Sequence, residues 1–156
     1  MKKYALTILL FLSSCGPMFL EGTNEEIKEL AEAKTHNINF KNSNMKVNFS
    51  WIKGPFGDPS KESTFTIQLL DKSGRPRDLK GEQEFRFLII MPSMGGHGPA
   101  DYGRLKRLSK GLYLYKGLYL NMEGVWDIYI DLCKKNEVTC NENTRLDEGS
   151  LSFEIN

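Results

Sequence analysis

Residues 126–132 read Trp-Asp-Ile-Tyr-Ile-Asp-Leu, and this stretch decides the fold class. Large apolar residues stand at positions 126, 128, 130 and 132, and Asp127, Tyr129 and Asp131 stand between them. Successive side chains of a β-strand point to opposite faces of its sheet, so a period of two predicts a strand with one buried face.

The same alternation recurs on both sides of this stretch. It is carried by Val47, Phe49 and Trp51, by Phe65, Ile67 and Leu69, by Phe85, Phe87 and Ile89, and by Leu151, Phe153 and Ile155. Residues 112–120 supply one or two further strands, interrupted at Gly117. The connections are rich in Gly and Pro, as in residues 54–59, and no helix-crossover spacing occurs. The pattern therefore predicts an all-β protein, an antiparallel β-sandwich of about six or seven strands.

Length and charge limit the classes of function. The chain has 156 residues, 40% of them hydrophobic and 26% charged, which suits one folded domain. Its 21 Lys and Arg against 20 Asp and Glu leave a net charge of +1. A nucleic-acid-binding protein needs a clustered basic face, so we expect no nucleic-acid partner.

The N-terminus has the form of a signal peptide. Two lysines at positions 2 and 3 precede an uncharged run over residues 4–12. Nine helical residues rise about 14 Å, less than half of a bilayer core, so the run is too short to span a membrane. Leu12-Ser13-Ser14-Cys15 follows, and it resembles the lipobox of bacterial lipoproteins. That resemblance implies cleavage after residue 14 and lipid attachment to the Cys15 thiol, as for a palmitoylated lipoprotein.

The predicted lipid anchor implies a cellular location and a division of the chain into tether and folded domain. The mature chain would sit in the cell envelope, held to a membrane by lipid. In a bacterium with two membranes, Gly16 after the cysteine resembles the pattern sent to the outer membrane, facing the periplasm. We expect residues 15–44 to form a tether with a short helix near residues 24–34 and a solvated His36. Residues 45–156 would form the sandwich.

Cys133 and Cys140 are separated by a polar, turn-like segment. A disulfide is the expected pairing outside the cytoplasm, and a two-cysteine metal site is the alternative.

The sequence contains no motif of a known catalytic centre. It lacks the nucleophile elbow, the zinc-protease helix motif, the phosphate-binding loop and the dinucleotide-binding turn. Its two histidines are far apart in sequence, and its carboxylates are scattered through surface runs. We therefore predict that the protein is not an enzyme.

One loop stands apart chemically. Residues 90–99 read Ile-Met-Pro-Ser-Met-Gly-Gly-His-Gly-Pro, and they place Met91, Met94 and His97 at equal intervals. Thioether and imidazole are suitable copper ligands, and thioether does not form disulfides. Met122, before the strand that starts near Trp126, would be a fourth ligand. The alternative is packing, because Met91 follows the buried face of its strand and methionine often fills core gaps.

The segment Met-Pro-x-Met-x-x-His-Gly at 91–98, followed by Gly-Leu-Tyr at 111–113 and by residues 120–128, resembles the YtkA-like/FixH-like family. The family resemblance implies a small immunoglobulin-like sandwich, similar to the CopC-like periplasmic copper carriers. It also implies a copper cofactor held by Met91, Met94, His97 and Met122. The resemblance further implies a role in copper handling or oxidase assembly, together with a copper donor or acceptor protein. The chain departs from the family pattern in its paired glycines at 95–96 and in Glu123, where proline often stands.

A second hypothesis needs no metal. The sandwich would be a lipoprotein that binds a protein partner through its loops, with the methionines as packing. Tyrosine is enriched at interfaces, and Tyr113, Tyr115, Tyr119 and Tyr129 would suit such a surface.

The first prediction concerns Cys15. Cys15→Ala should abolish lipid attachment, since its thiol is the acylation point of the lipobox. Detergent-phase partitioning and intact-mass measurement would detect the unprocessed, unlipidated chain, with Cys140→Ala as the matched control that keeps its lipid. Undiminished lipidation of Cys15→Ala would contradict the prediction.

Overall fold

A computed structural model describes residues 35–43, 45–136 and 139–156. The predicted signal peptide, the lipidated Cys15 and the predicted helix near residues 24–34 lie outside this part. Strands in the described residues are β1 (Thr35–Asn39), β2 (Lys46–Lys53), β3 (Ser63–Leu70), β4 (Gln83–Ile90), β5 (Arg104–Ser109), β6 (Leu112–Leu118), β7 (Gly124–Lys134) and β8 (Arg145–Ile155). A short 3-10 turn, Pro92–Met94, follows β4.

The strands form two antiparallel sheets, which confirms the predicted sandwich. One sheet has the order β1-β2-β3-β6-β5, and the other has the order β4-β7-β8. Without β1, this is the arrangement of a constant-type immunoglobulin domain, in which four strands face three. The described residues contain no helix long and apolar enough to cross a membrane.

The period of two predicted the buried faces correctly. Trp126, Ile128 and Ile130 of β7 are fully buried, and β7 pairs with β4 on one side and β8 on the other. From the facing sheet, Phe65 contributes an aromatic cluster. Its ring lies 4.6 Å from that of Phe49 and 4.6 Å, stacked, from that of Tyr115. Each such side chain contributes roughly 1.5–3 kcal/mol by burial.

The structure corrects the predicted strand list at β5 and β6. Residues 112–120 hold one strand, β6, and Gly117 lies near its end with φ +79°. The strand β5 was not predicted, because a register shift between Arg107 and Ser109 breaks its alternation. It is also a charged edge strand, as expected where a sheet must avoid pairing with other chains.

The structure also moves the start of the sandwich. β1 lies within the stretch predicted as tether, so the fold begins before residue 45. His36 belongs to this strand and is half-buried, with its ring 6.5 Å from that of Phe49, and is therefore not a solvated tether residue. The polar residues 35–37 and Asn39 concealed the strand, yet the apolar side chains of Ile38 and Phe40 are buried in the core.

Contacts with β8 hold β1 in place. A Cβ atom on Gly149 would lie 2.5 Å from the Cγ2 atom of Ile38, so only glycine permits this approach. Beside it, the carboxylate of Asp147 is 1% exposed. It accepts hydrogen bonds from the backbone nitrogens of Asn42 and Ser43 and from the Ser43 hydroxyl. Burial alone would raise the pKa of Asp147, but these hydrogen bonds outweigh it and lower the pKa.

Cys133 and Cys140 are joined in a disulfide, with their Cα atoms 5.8 Å apart. Cys133 pairs with Glu84 at the beginning of β4. The disulfide therefore lies at the end of the sandwich where β4 starts and β7 finishes.

Asp147→Asn should lower the free energy of unfolding by about 1.5–3 kcal/mol, the range for buried hydrogen bonds to a charged group. A carboxylate whose pKa is lowered by folding stabilises the fold above its unfolded pKa, about 3.9. The difference between wild type and variant should therefore shrink as the pH falls below about 4. Urea unfolding at several pH values measures this.

The matched control is Glu148→Gln, because that neighbouring carboxylate forms only exposed ion pairs. Its effect should stay within about 0.5 kcal/mol. If both variants lost the same free energy of unfolding, the stabilising role of the Asp147 hydrogen bonds would be refuted.

Candidate metal centre

Three connections meet at one end of the sandwich, which we call the loop end. They are residues 54–62 between β2 and β3, 91–103 between β4 and β5, and 119–123 between β6 and β7. The register explains their proximity, because Ile90 pairs with Asp127 and Ser63 pairs with Leu118. The two sequence segments that carry the predicted ligands, 91–97 and 122, are therefore brought to the same end.

Backbone hydrogen bonds close the loop that follows β4. The Met91 nitrogen donates to the His97 oxygen at 2.8 Å, and the Gly96 nitrogen donates to the Met91 oxygen at 3.2 Å. Gly95 and Gly96 have φ values of +67° and +84°, a region that side chains with a Cβ atom rarely adopt. The paired glycines therefore allow the chain to turn back so that His97 lies opposite Met91.

Met91 is a core residue. Its side chain is only 3% exposed and belongs to the buried cluster of the sandwich. A Cβ atom built on Gly124 would lie 3.3 Å from the Met91 methyl carbon, which places the thioether against the start of β7. Packing alone accounts for this methionine, so we remove Met91 from the predicted ligand set.

Met94 and His97 have the opposite environment. Met94 is 57% exposed at the end of the 3-10 turn, although its side chain is large and apolar. The His97 imidazole is also exposed. Neither residue contributes to the buried core, so packing does not explain their side chains.

Met122 is intermediate between these cases. It is half-buried against the core, and its carbonyl oxygen accepts a hydrogen bond of 3.1 Å from the Trp126 indole nitrogen. On the other side, the Gly57 backbone packs so closely that a Cβ atom there would lie 2.9 Å from the Met122 carbonyl carbon. These contacts fix the backbone of Met122 at the loop end.

Asn121 was missed by the sequence reasoning. Its side-chain nitrogen lies 3.0 Å from Nε2 of His97, and the contact joins the β4–β5 and β6–β7 connections. Its Oδ1 atom is buried and has no hydrogen-bond partner within the described part of the chain. The position next to Met122 was the available signal, but only the tertiary structure brings His97 to it.

The side chains predicted as ligands at the loop end are soft donors. Among the described residues, no three His, Cys, Asp or Glu side chains gather in a group suited to a metal ion. Cys133 and Cys140 are joined to each other at the other end of the sandwich. The predicted ligands are thioether sulfur and a single imidazole, and this combination suits Cu(I) better than Mg²⁺, Ca²⁺ or structural Zn²⁺.

The four tyrosines predicted for a protein interface differ in exposure, and Tyr119 is half-buried. Tyr113 and Tyr115 are buried, and burial raises the pKa of Tyr115 to about 12, so both are core residues. Tyr129 is 37% exposed and stands opposite Leu88, which is 48% exposed, on the outer face of the three-stranded sheet. That pair is a candidate contact surface.

Comparisons with known proteins found no matching family model, no matching curated protein and no matching solved structure. The resemblance to the YtkA-like/FixH-like family therefore remains a prediction from the motif residues.

Gly57→Ala should destabilise the fold by about 1–3 kcal/mol, because its new methyl group would overlap the backbone of Met122 and Glu123. Thermal unfolding measures the loss. Gly81→Ala is the matched control, since a Cβ atom there would meet no atom within 4 Å. Similar stability of the two variants would contradict the close packing of residues 54–62 on the site.

Proposed function

We propose that this protein is a lipid-anchored module of the cell envelope that binds a copper ion at its loop end and passes it on. Met94, His97 and Met122 are the proposed ligands, and no chemical turnover is involved. One observation supports the proposal: the two segments that carry these residues lie at the same end of the sandwich, and Met94 and His97 are exposed without a packing role.

The chemistry of the ligands favours Cu(I). Thioether sulfur is neutral and polarizable, so it is a soft ligand that suits a soft monovalent ion. Imidazole binds both copper oxidation states, and His97 would therefore contribute to Cu(II) as well. Met94 and Met122 would set the preference for the reduced ion.

Exposure of the ligands supports exchange rather than permanent storage. Met94 is more than half exposed, so an incoming partner can approach its sulfur directly. Met122 is half-buried and its backbone is fixed, so it would hold the ion while Met94 is replaced. The partner would be a copper donor or acceptor protein.

The topology supports a site close to the anchor. Thr35 pairs with Ser50, so β1 enters the sandwich beside the end of β2, at the loop end. Ile155 pairs with Gly124, so β8 finishes there too. From Cys15 to Thr35 the chain can span at most about 70 Å. Lipidation at Cys15 would thus keep Thr35, where β1 enters at the loop end, within that distance of the membrane.

The second candidate function is protein binding without metal. It is favoured by the exposed Leu88 and Tyr129 pair, because apolar and tyrosine side chains are common at the centres of interfaces. In that case the exposed Met94 would be a further candidate contact residue.

Met94→Leu should keep the fold and weaken Cu(I) binding about tenfold or more. Leucine conserves volume and apolarity but offers no sulfur lone pair. A competition titration with a Cu(I) chelator, on the full chain in detergent, measures the affinity. Met122→Leu should act in the same direction, and His97→Ala should weaken Cu(II) more than Cu(I).

Met45→Leu is the matched control, because Met45 is buried at the start of β2, at the opposite end of the sandwich. It should leave the copper affinity unchanged. If wild type binds both ions no better than micromolar, and Met94 and His97 make no difference, protein binding is the surviving candidate.

A further inference from the structure

The contact between Asn121 and His97 joins two positions whose backbones are held independently. The His97 oxygen accepts from the Met91 nitrogen at 2.8 Å. Asn121 stands between fully buried Leu120 and Met122, whose oxygen binds the Trp126 indole. The 3.0 Å contact between the two side chains is therefore built on supported backbone.

The chemistry of the two atoms determines which one donates. An amide NH₂ group can only donate, so Nε2 of His97 must accept and must carry no proton. In a neutral imidazole the other nitrogen, Nδ1, then carries the proton.

Rotating the Asn121 side-chain amide by about 180°, so that Oδ1 and Nδ2 exchange positions, would be less favourable. The carbonyl oxygen of the Asn121 side chain, Oδ1, is buried and has no hydrogen-bond partner in the described residues. Reversal would place two N–H donors there in exchange for one carbonyl oxygen. Buried donors without a partner are rarer in proteins than under-satisfied carbonyl oxygens, so the orientation with Nδ2 towards His97 is preferred.

We infer that Asn121 is a positioning residue that holds neutral His97 in the Nδ1–H tautomer, with Nε2 as the nitrogen available to a soft metal ion. Metal binding would break one hydrogen bond, from Asn121 Nδ2 to Nε2, and form one Nε2–metal bond. The proton stays on Nδ1, so no proton is released from the ring. The part concerning the metal rests on the proposed function, whereas the tautomer does not.

The tautomer is tested without metal. Two-bond ¹⁵N–¹H correlation spectra of the ¹⁵N-labelled full chain in detergent, at about pH 8 where an ordinary imidazole is neutral, show which ring nitrogen is protonated. Wild type should show Nδ1–H for His97. Asn121→Asp has the same shape but accepts rather than donates, so it should switch His97 to Nε2–H. Asn121→Leu should abolish the preference for Nδ1–H.

His36 is the internal control, because it lies in β1 with its ring against Phe49, whereas the Asn121 hydrogen bond is made to His97. Its signals should be the same in all three proteins, and a change there would identify a variant that has lost the fold. Nε2–H on His97 in wild type, or Nδ1–H that persists in both variants, would overturn the inference.

A titration with Ag(I), a diamagnetic soft ion, tests whether Nε2 of His97 is the nitrogen that binds the metal. Ag(I) should move the Nε2 resonance of His97 and leave Nδ1 protonated. Loss of the Nδ1 proton would overturn the assignment of Nε2. Ag(I) that changes neither nitrogen would instead refute the metal site, and the metal-free spectra would still decide the tautomer.

Discussion

The two-sided pairing of β7 is the constraint on which the rest of the structure depends. β7 forms hydrogen bonds with β4 and with β8, and its side chains alternate between solvent and a core that contains Trp126. A shift of one residue would move this buried row to the outside, so the hydrophobic free energy fixes the register. Once it is fixed, the beginning of β7 and the end of β4 must lie side by side. The loops that extend from them then share one end of the sandwich.

The approach of β1 to β8 depends on a glycine and a buried carboxylate as well as on apolar residues. Gly149 lets Ile38 approach β8, and the buried Asp147 satisfies backbone nitrogens of the turn after β1. A buried carboxylate is tolerated only with such partners. β1 thereby becomes part of the sandwich and brings the chain in at the loop end. In a lipidated protein, the tether would therefore enter the sandwich at the end that carries the candidate site.

The loop end combines rigid backbone with exposed ligands. Left-handed glycines shape the loop after β4, and the Gly57 backbone packs against the backbone of Met122. Such support matters for a metal site because ligands held by neighbouring contacts need less ordering when the ion binds. The same exposure of Met94 that favours exchange also distinguishes it from Met91, although the two residues look alike in the sequence.

The sequence by itself determined the fold class, most of the strands and the inward faces, because a period of two is a local property that burial enforces. It also located the loop with unusual chemistry and the disulfide pair. It missed β1 and β5, whose edge positions and irregular alternation depend on neighbouring strands. Only the tertiary structure decided that Met91 is core, that Met94 is exposed and that Asn121 lies against His97. These distinctions depend on which residues meet across 24 or more positions of chain, and no local pattern encodes that.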